Sequence, residues 1–358
     1  MKIEQQYEII FDIDETLIAA TMSKPNEAVI VLSSGNVIRF NLDEKKREDL
    51  FSLKSSIGYS DGGFDITAKI SIYTLDEIVV VVNDFKTHAI IHYPGKYMAL
   101  RLQREDYYAE ISQYPIALFK NEINIPHLIY AAAWNHIQIM NLDTRQILTA
   151  SKSLIEENAE EEHIKFYKKH NEVNKLAWPR PYDYFFGKLK VSQNCKYFLS
   201  AGWVWGSFDA YTIYNMDHFI KSHRISSIRI GGWEHENRAV CWINNNTVAV
   251  TYNPLIEGDD NSNSDTPNEI HFYELNDEKT ELVRKIKVGN LDIKNAEMEF
   301  SNKLNSLVVF SEKLGIALIS LEGVVMYHSK DLKVNSYFAD TDLFITTTDK
   351  AIFVNKLI

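Results

Sequence analysis

Residues 189–217 read LKVSQNCKYFLSAGWVWGSFDAYTIYNMD. Three short apolar or aromatic stretches are separated by an Asn-containing turn and a Gly-containing turn. The third stretch ends in Asn215-Met216-Asp217. Stretches this short, bounded by turn residues, read as strand, turn, strand, turn, strand. Asn and Asp hydrogen-bond their own backbone and tolerate tight-turn geometry, so they give such strands a stop.

The middle stretch, 197–201 (YFLSA), has counterparts along the chain. They are 28–32 (AVIVL), 78–82 (IVVVV), 128–134 (LIYAAAW), 247–252 (TVAVTY), 306–310 (SLVVF) and 343–348 (LFITTT). Continuous apolar runs of this length fit strands buried on both faces. Most recur at intervals of about 50 residues, lengthened where two units carry insertions, which is the signature of a repeat architecture. The tail is repeated as well. Arg39-Phe40-Asn41-Leu42-Asp43, Ile139-Met140-Asn141-Leu142-Asp143, Ile213-Tyr214-Asn215-Met216-Asp217 and Phe272-Tyr273-Glu274-Leu275-Asn276 share one pattern, and Leu318-Ile319-Ser320-Leu321-Glu322 is a weaker copy.

With these strands and tails the chain resembles the WD40/YVTN-like β-propeller superfamily. It lacks the Trp-Asp dipeptide, since Phe40, Met140, Tyr214 and Tyr273 stand where Trp would, and it lacks the Gly-His signature. The resemblance implies an all-β, seven-bladed β-propeller with four strands per blade; six or eight blades remain compatible with the spacing. The last unit supplies only three strands, at 334–339, 343–348 and 351–358, while an alternating strand at 7–13 precedes the first unit. The economical expectation is a ring closed by the N-terminal strand completing the last blade, which removes an exposed edge. One domain, 1–358, is expected, with an insertion at about 151–185 between blades 3 and 4. Within it, 154–170 (LIEENAEEEHIKFYKKH) places acids first and Lys/His last, as a short helix would.

Composition narrows the function classes. Apolar residues at 45% and charged residues at 24% are a globular balance. A net charge of −11 with no basic stripe argues against nucleic acid and anionic membrane. No apolar run approaches the ~20 residues of a membrane span, and the start MKIEQQYEII has no secretory pattern. Two cysteines, Cys195 and Cys241, exclude a disulfide scaffold and suit reduced thiols in the cytoplasm.

In a propeller, the loops after each second and fourth strand share one face. Long segments fall there: 55–67, 104–115, about 151–185, 224–238 and 253–268. Long loops on a rigid scaffold are where binding concentrates. They and their neighbours hold Tyr107, Tyr108, Trp134, Trp178, Trp205 and Trp233, with His235 between Glu234 and Glu236. These seven are the candidate binding residues, because aromatic side chains dominate interface hot spots. Acids on the same face suggest a protein partner with a basic or polar surface. The expectation is a non-catalytic interaction module without cofactor or metal; the alternative is an enzyme or a small-ligand or metal binder using the central channel.

One catalytic look-alike exists. Phe11-Asp12-Ile13-Asp14-Glu15-Thr16 resembles the first motif of haloacid-dehalogenase-like phosphatases, which would make Asp12 a nucleophile and Asp14 its acid/base. That chemistry needs a doubly wound βαβ scaffold, and no helices follow these strands. His88 and His92 share a strand face without a third ligand.

Overall fold

The computed structural model describes residues 2–11, 15–54, 63–150, 183–235, 238–253 and 268–358. Strand β1 (Ile3–Ile10) comes first. Blade 1 follows as β2 (Leu17–Lys24), β3 (Glu27–Leu32), β4 (Asn36–Asn41) and β5 (Lys46–Ser52). Blade 2 is β6 (Ile70–Leu75), β7 (Ile78–Asn83), β8 (His88–Tyr93) and β9 (Tyr97–Gln103). Blade 3 contributes β10 (Ile116–Lys120), β11 (Pro126–Ala133) and β12 (His136–Asn141). Blade 4 is β13 (Tyr184–Val191), β14 (Tyr197–Val204), the short β15 (Phe208–Asp209), β16 (Thr212–Asn215), β17 (Ser227–Arg229) and the short β18 (Glu234–His235). Blade 5 is β19 (Val240–Trp242), β20 (Thr247–Thr251), β21 (Glu269–Leu275) and β22 (Thr280–Lys287). Blade 6 is β23 (Glu297–Ser301), β24 (Ser306–Ser311), β25 (Gly315–Ser320) and β26 (Val325–Ser329). Blade 7 is β27 (Ser336–Phe338), β28 (Leu343–Thr347) and β29 (Ala351–Leu357).

The seven sheets are antiparallel meanders in a ring, and the last has the order β1-β29-β28-β27. The chain is thus a seven-bladed β-propeller, and β1 supplies the fourth strand of blade 7 as the sequence implied. Its register pairs Ile9 with Ile352 and Tyr7 with Val354. Backbone bonds from Lys2 N to Ile358 O (2.8 Å) and from Phe11 N to Lys350 O (2.8 Å) extend the seam at both ends.

Every run singled out in the sequence is the second strand of its blade. The reason is visible in the packing. Alternate residues of one strand serve two different cores: Val79 and Val81 pack with Val29 and Val31 of blade 1, while Val80 and Val82 pack with Leu128 and Tyr130 of blade 3. Seven such clusters occur among the described residues, one at each blade interface. A strand between two neighbouring sheets has no solvent face, which erases the alternation a one-sided strand would show.

The repeated tails end the third strands, and their side chains build the turns. Asn41 Oδ1 accepts from Glu44 N (2.9 Å), Asn141 Oδ1 from Asp143 N (2.9 Å) and Asn276 Oδ1 from Lys279 N (3.1 Å). The tail aspartates also tie blades together. Tyr7 Oη donates to Asp43 Oδ1 (2.8 Å) across the closure, and Tyr93 Oη to Asp143 Oδ1 (2.9 Å) between blades 2 and 3. In blade 4 the same tail starts α1 (Met216–Ser222) instead of a turn, with Asn215 as N-cap to His218 N.

One expectation changes. The segment 224–238 is not one blade-linking loop: residues 227–229 are β17, needed to cover β16 through the Ile213–Ile228 pair, so only the stretch after it joins blades. The described helix, α1, lies inside blade 4; the helix expected over 154–170 falls outside the described residues. Asp12 and Asp14 also lie outside them, but β1 and β2 flank them in an antiparallel ring, and no βαβ unit occurs among the described residues. The scaffold that phosphatase chemistry requires is therefore not formed by the described residues.

Ile9 is buried in the cluster that joins blades 7 and 1. Ile9→Asp places a charge there, and denaturant unfolding should show a loss of about 3 kcal/mol or more. Glu8→Gln, on the exposed side of β1, should stay within about 0.5 kcal/mol of the parent. Equal midpoints for the two variants would contradict the closure.

Candidate functional site

Residues 104–115 link blades 2 and 3 and carry Tyr107 and Tyr108. The loop is organised from below by Arg104, which is buried, with 4% of its surface exposed. Its Nε donates to Lys86 O (2.8 Å). Its Nη2 donates to Ser112 O (2.6 Å), Ala109 O (3.0 Å) and Asp84 O (3.3 Å). The guanidinium also lies over the Tyr114 ring at 4.8 Å. A planar fork of five donors suits several carbonyls converging on one point. Burial pulls the Arg104 pKa down to about 10, so it stays charged at neutral pH. Ala109 N closes a turn onto Asp106 O (2.9 Å), and Tyr108 sits in the left-handed region at φ 53°.

Above this loop the rings converge. Phe185 and Trp203 are partners in the β13–β14 register and stack at 3.7 Å with 6° between planes. Trp134 meets Phe185 at 4.4 Å and Tyr107 at 5.7 Å. Tyr107 and Tyr108 meet edge to face at 4.8 Å, and Trp205 meets Tyr108 at 5.4 Å and Tyr107 at 6.3 Å. Hydrogen bonds fix the indoles: Trp203 Nε1 donates to Ser112 Oγ (2.9 Å) and Trp205 Nε1 to Asp183 Oδ1 (2.6 Å). Tyr107, Trp205 and Tyr108 keep 47%, 42% and 37% of their surfaces exposed.

Four of the seven sequence candidates thus meet in one platform on the blade-linking face: Tyr107, Tyr108, Trp134 and Trp205. Trp233 makes its ring contacts elsewhere, stacking on Phe208 at 6.3 Å with the Arg229 guanidinium at 5.3 Å. His235 is exposed on β18, beside Phe208 in the register, and its backbone N donates to Asn253 O (2.9 Å). Trp178 lies outside the described residues. Sequence reading missed Phe185, Trp203 and Arg104. Trp203 was within reach, because it lies two residues from Trp205, which was already a candidate.

Beside the platform lies a cavity of about 510 Å³ at the centre of the ring, with Trp203 in its wall. Lys188 and Lys190 of blade 4 pair with Glu297 and Glu299 of blade 6, both at 2.5 Å, across the short inner strand β19. The Lys188 charge holds the Glu297 carboxyl well below its ordinary value, at about 2. Deeper in the wall, Arg238 pairs with Glu234 (2.9 Å) and Asp209 (3.5 Å) and lies over the Tyr211 ring at 4.5 Å. Among the described residues its Nη2 has no hydrogen-bond partner. Asp84 is buried, and desolvation raises its pKa although Ser71 Oγ (2.7 Å) and Gln113 Nε2 (3.3 Å) donate to it. Among the described residues no three His, Cys, Asp or Glu side chains are grouped to hold a metal ion.

Fold and site together define a class: a seven-bladed β-propeller with an aromatic platform at the mouth of its central cavity. No protein-family model matches the chain, and no curated protein matches it.

Two measurements probe the site's supports. Arg104→Met takes the Arg104 donor from the carbonyls of Lys86, Ala109 and Ser112, while Asp84 O keeps Tyr114 N (2.6 Å), at about 1–3 kcal/mol for each buried group left unsatisfied. It should lower stability by about 3 kcal/mol or more and reduce the near-UV circular dichroism of the rings. Arg104→Lys should fall between, because an ammonium cannot span the same acceptors. An unchanged near-UV spectrum in Arg104→Met would show that the platform does not rest on this residue. The depressed Glu297 pKa means that its pairing stabilises the fold above the ordinary glutamate value of 4.5 and is lost as pH falls toward about 2. Glu297→Gln should therefore be less stable than the parent at pH 7 and lose less on acidification through that window; parallel stability curves would rule out the pairing's role.

Proposed function

We propose that this propeller is a non-catalytic interaction module that binds a protein partner through its blade-linking face. One observation carries the reading: Tyr107, Tyr108 and Trp205, from two different loops, expose their rings side by side on a scaffold fixed by buried hydrogen bonds. Preorganised aromatic rings contribute contact area with little entropy left to lose on binding. The seven blades, five of them four-stranded among the described residues, and the repeated tails support kinship with WD40/YVTN-like propellers. The free thiols of Cys195 and Cys241 support a reducing, cytoplasmic setting. No helix among the described residues is long and apolar enough to cross a membrane.

A second reading places a small polar ligand in the central cavity. The Nη2 of Arg238 in the cavity wall, without a hydrogen-bond partner among the described residues, favours it.

Immobilised protein should capture a defined partner from lysate of its native host. A Tyr107→Ala/Trp205→Ala double variant should capture at least about 10-fold less, the scale of losing two hot-spot rings. Lys96→Ala, in a turn of the opposite face, should capture as the parent does. Equal capture by the double variant, with its melting temperature preserved, would overturn the platform reading.

A further inference from the structure

We propose that the platform recognises a cationic side chain, an arginine or lysine presented by a basic segment of a protein partner, over the exposed faces of Trp205 and Tyr107. The inference deepens the interaction-module reading and rests on it.

The first argument is the chemistry of Trp205. Its indole N–H donates to the Asp183 carboxylate at 2.6 Å. A carboxylate at the N–H edge puts negative charge beside a ring whose faces already carry negative potential, and a cation over the face is attracted to both. Tyr107 and Tyr108 stand nearly perpendicular to the indole, at 71° and 85°, so neighbouring faces and edges border the same exposed corner.

The second argument is charge complementarity. The loop around the tyrosines exposes Glu105, Asp106 and Glu110, and Asp183 adds a fourth carboxylate at the platform. Between residues 104 and 119 the sole base is Arg104, which is buried beneath the loop with its donors turned to carbonyls. Residues 203–210 contain no base. The nearest lysines of the cavity wall, Lys188 and Lys190, are paired with Glu297 and Glu299. An incoming acidic peptide or nucleic-acid phosphate would meet the carboxylates of Asp106, Glu110 and Asp183, which have no ion-pair partner among the described residues. A guanidinium fits better than an ammonium because its plane stacks on a ring while its edge can reach carboxylates.

The probes are three nine-residue peptides that alternate serine with arginine, glutamine or glutamate, titrated into the full chain by calorimetry. The arginine peptide should bind in preference to both others and weaken markedly between about 0.05 and about 0.5 M salt. Asp183→Asn keeps an acceptor for the indole N–H but removes the charge, and should weaken the arginine peptide roughly threefold. Trp205→Ala should weaken it roughly fivefold. Trp205→Phe retains a ring without the N–H, so it covers the case in which the alanine variant fails to fold, and should match Asp183→Asn. A glutamine peptide that binds as tightly as the arginine peptide, or an Asp183→Asn variant equal to the parent, would overturn the proposal. If no peptide binds while partner capture still depends on Tyr107 and Trp205, the interaction module stands and the cationic partner falls.

Discussion

The pairing of β1 with β29 is the constraint on which the rest of the molecule depends. A blade is a small sheet with two apolar faces, and each face needs a neighbour. Six interfaces form between blades that follow one another in sequence. The seventh joins the two ends of the chain, and it exists because Ile9, Leu17 and Ile30 pack against Ile345 and Ile352. Tyr7 adds a hydrogen bond across the same seam to the first tail aspartate. Without that closure, blades 1 and 7 would each leave an apolar face and an open strand edge to water.

A closed ring leaves the loops as the part free to vary. Most turns of one face are short and capped by their own Asn or Ser side chains, so that face is built for stability. The other face holds the 104–115 link, and there a buried guanidinium takes the place of ordinary loop disorder. Arg104 costs desolvation, and backbone carbonyls rather than a carboxylate offset it. The rings above it then rest on the Phe185–Trp203 stack, which belongs to the β13–β14 sheet. Rigidity passes from sheet to loop to exposed ring without a gap.

Much of the fold was legible in the sequence, for a physical reason. Strands buried on both faces are written as unbroken runs such as Ile78 to Val82, and turns that need Asn or Asp repeat them at the same place in each unit. The closing strand was legible by subtraction, since one unit lacked a strand and one strand lacked a unit. The site was legible only in part. Tyr107, Tyr108, Trp134 and Trp205 could be nominated as aromatics in or beside loops of one face, but nothing local said that Trp233 would turn away to Phe208. Arg104 was invisible because its meaning lies in four carbonyls brought together by folding. The tail at Asn215 misled in a different way: the same residue type that caps a turn also caps a helix, and the residues after it decided for α1. The Asp12/Asp14 pair illustrates the limit of motif reading, since its chemistry belongs to a scaffold that the described residues do not build.

Peptide-resolved hydrogen exchange on the native chain tests the central claim, that β1 is the fourth strand of blade 7 and closes the ring. Residues 2–11 and 351–358 should exchange together, as slowly as the interior strand 27–32, and should open only with global unfolding. Rapid exchange of 2–11, with the remaining blades still protected, would contradict a closed ring.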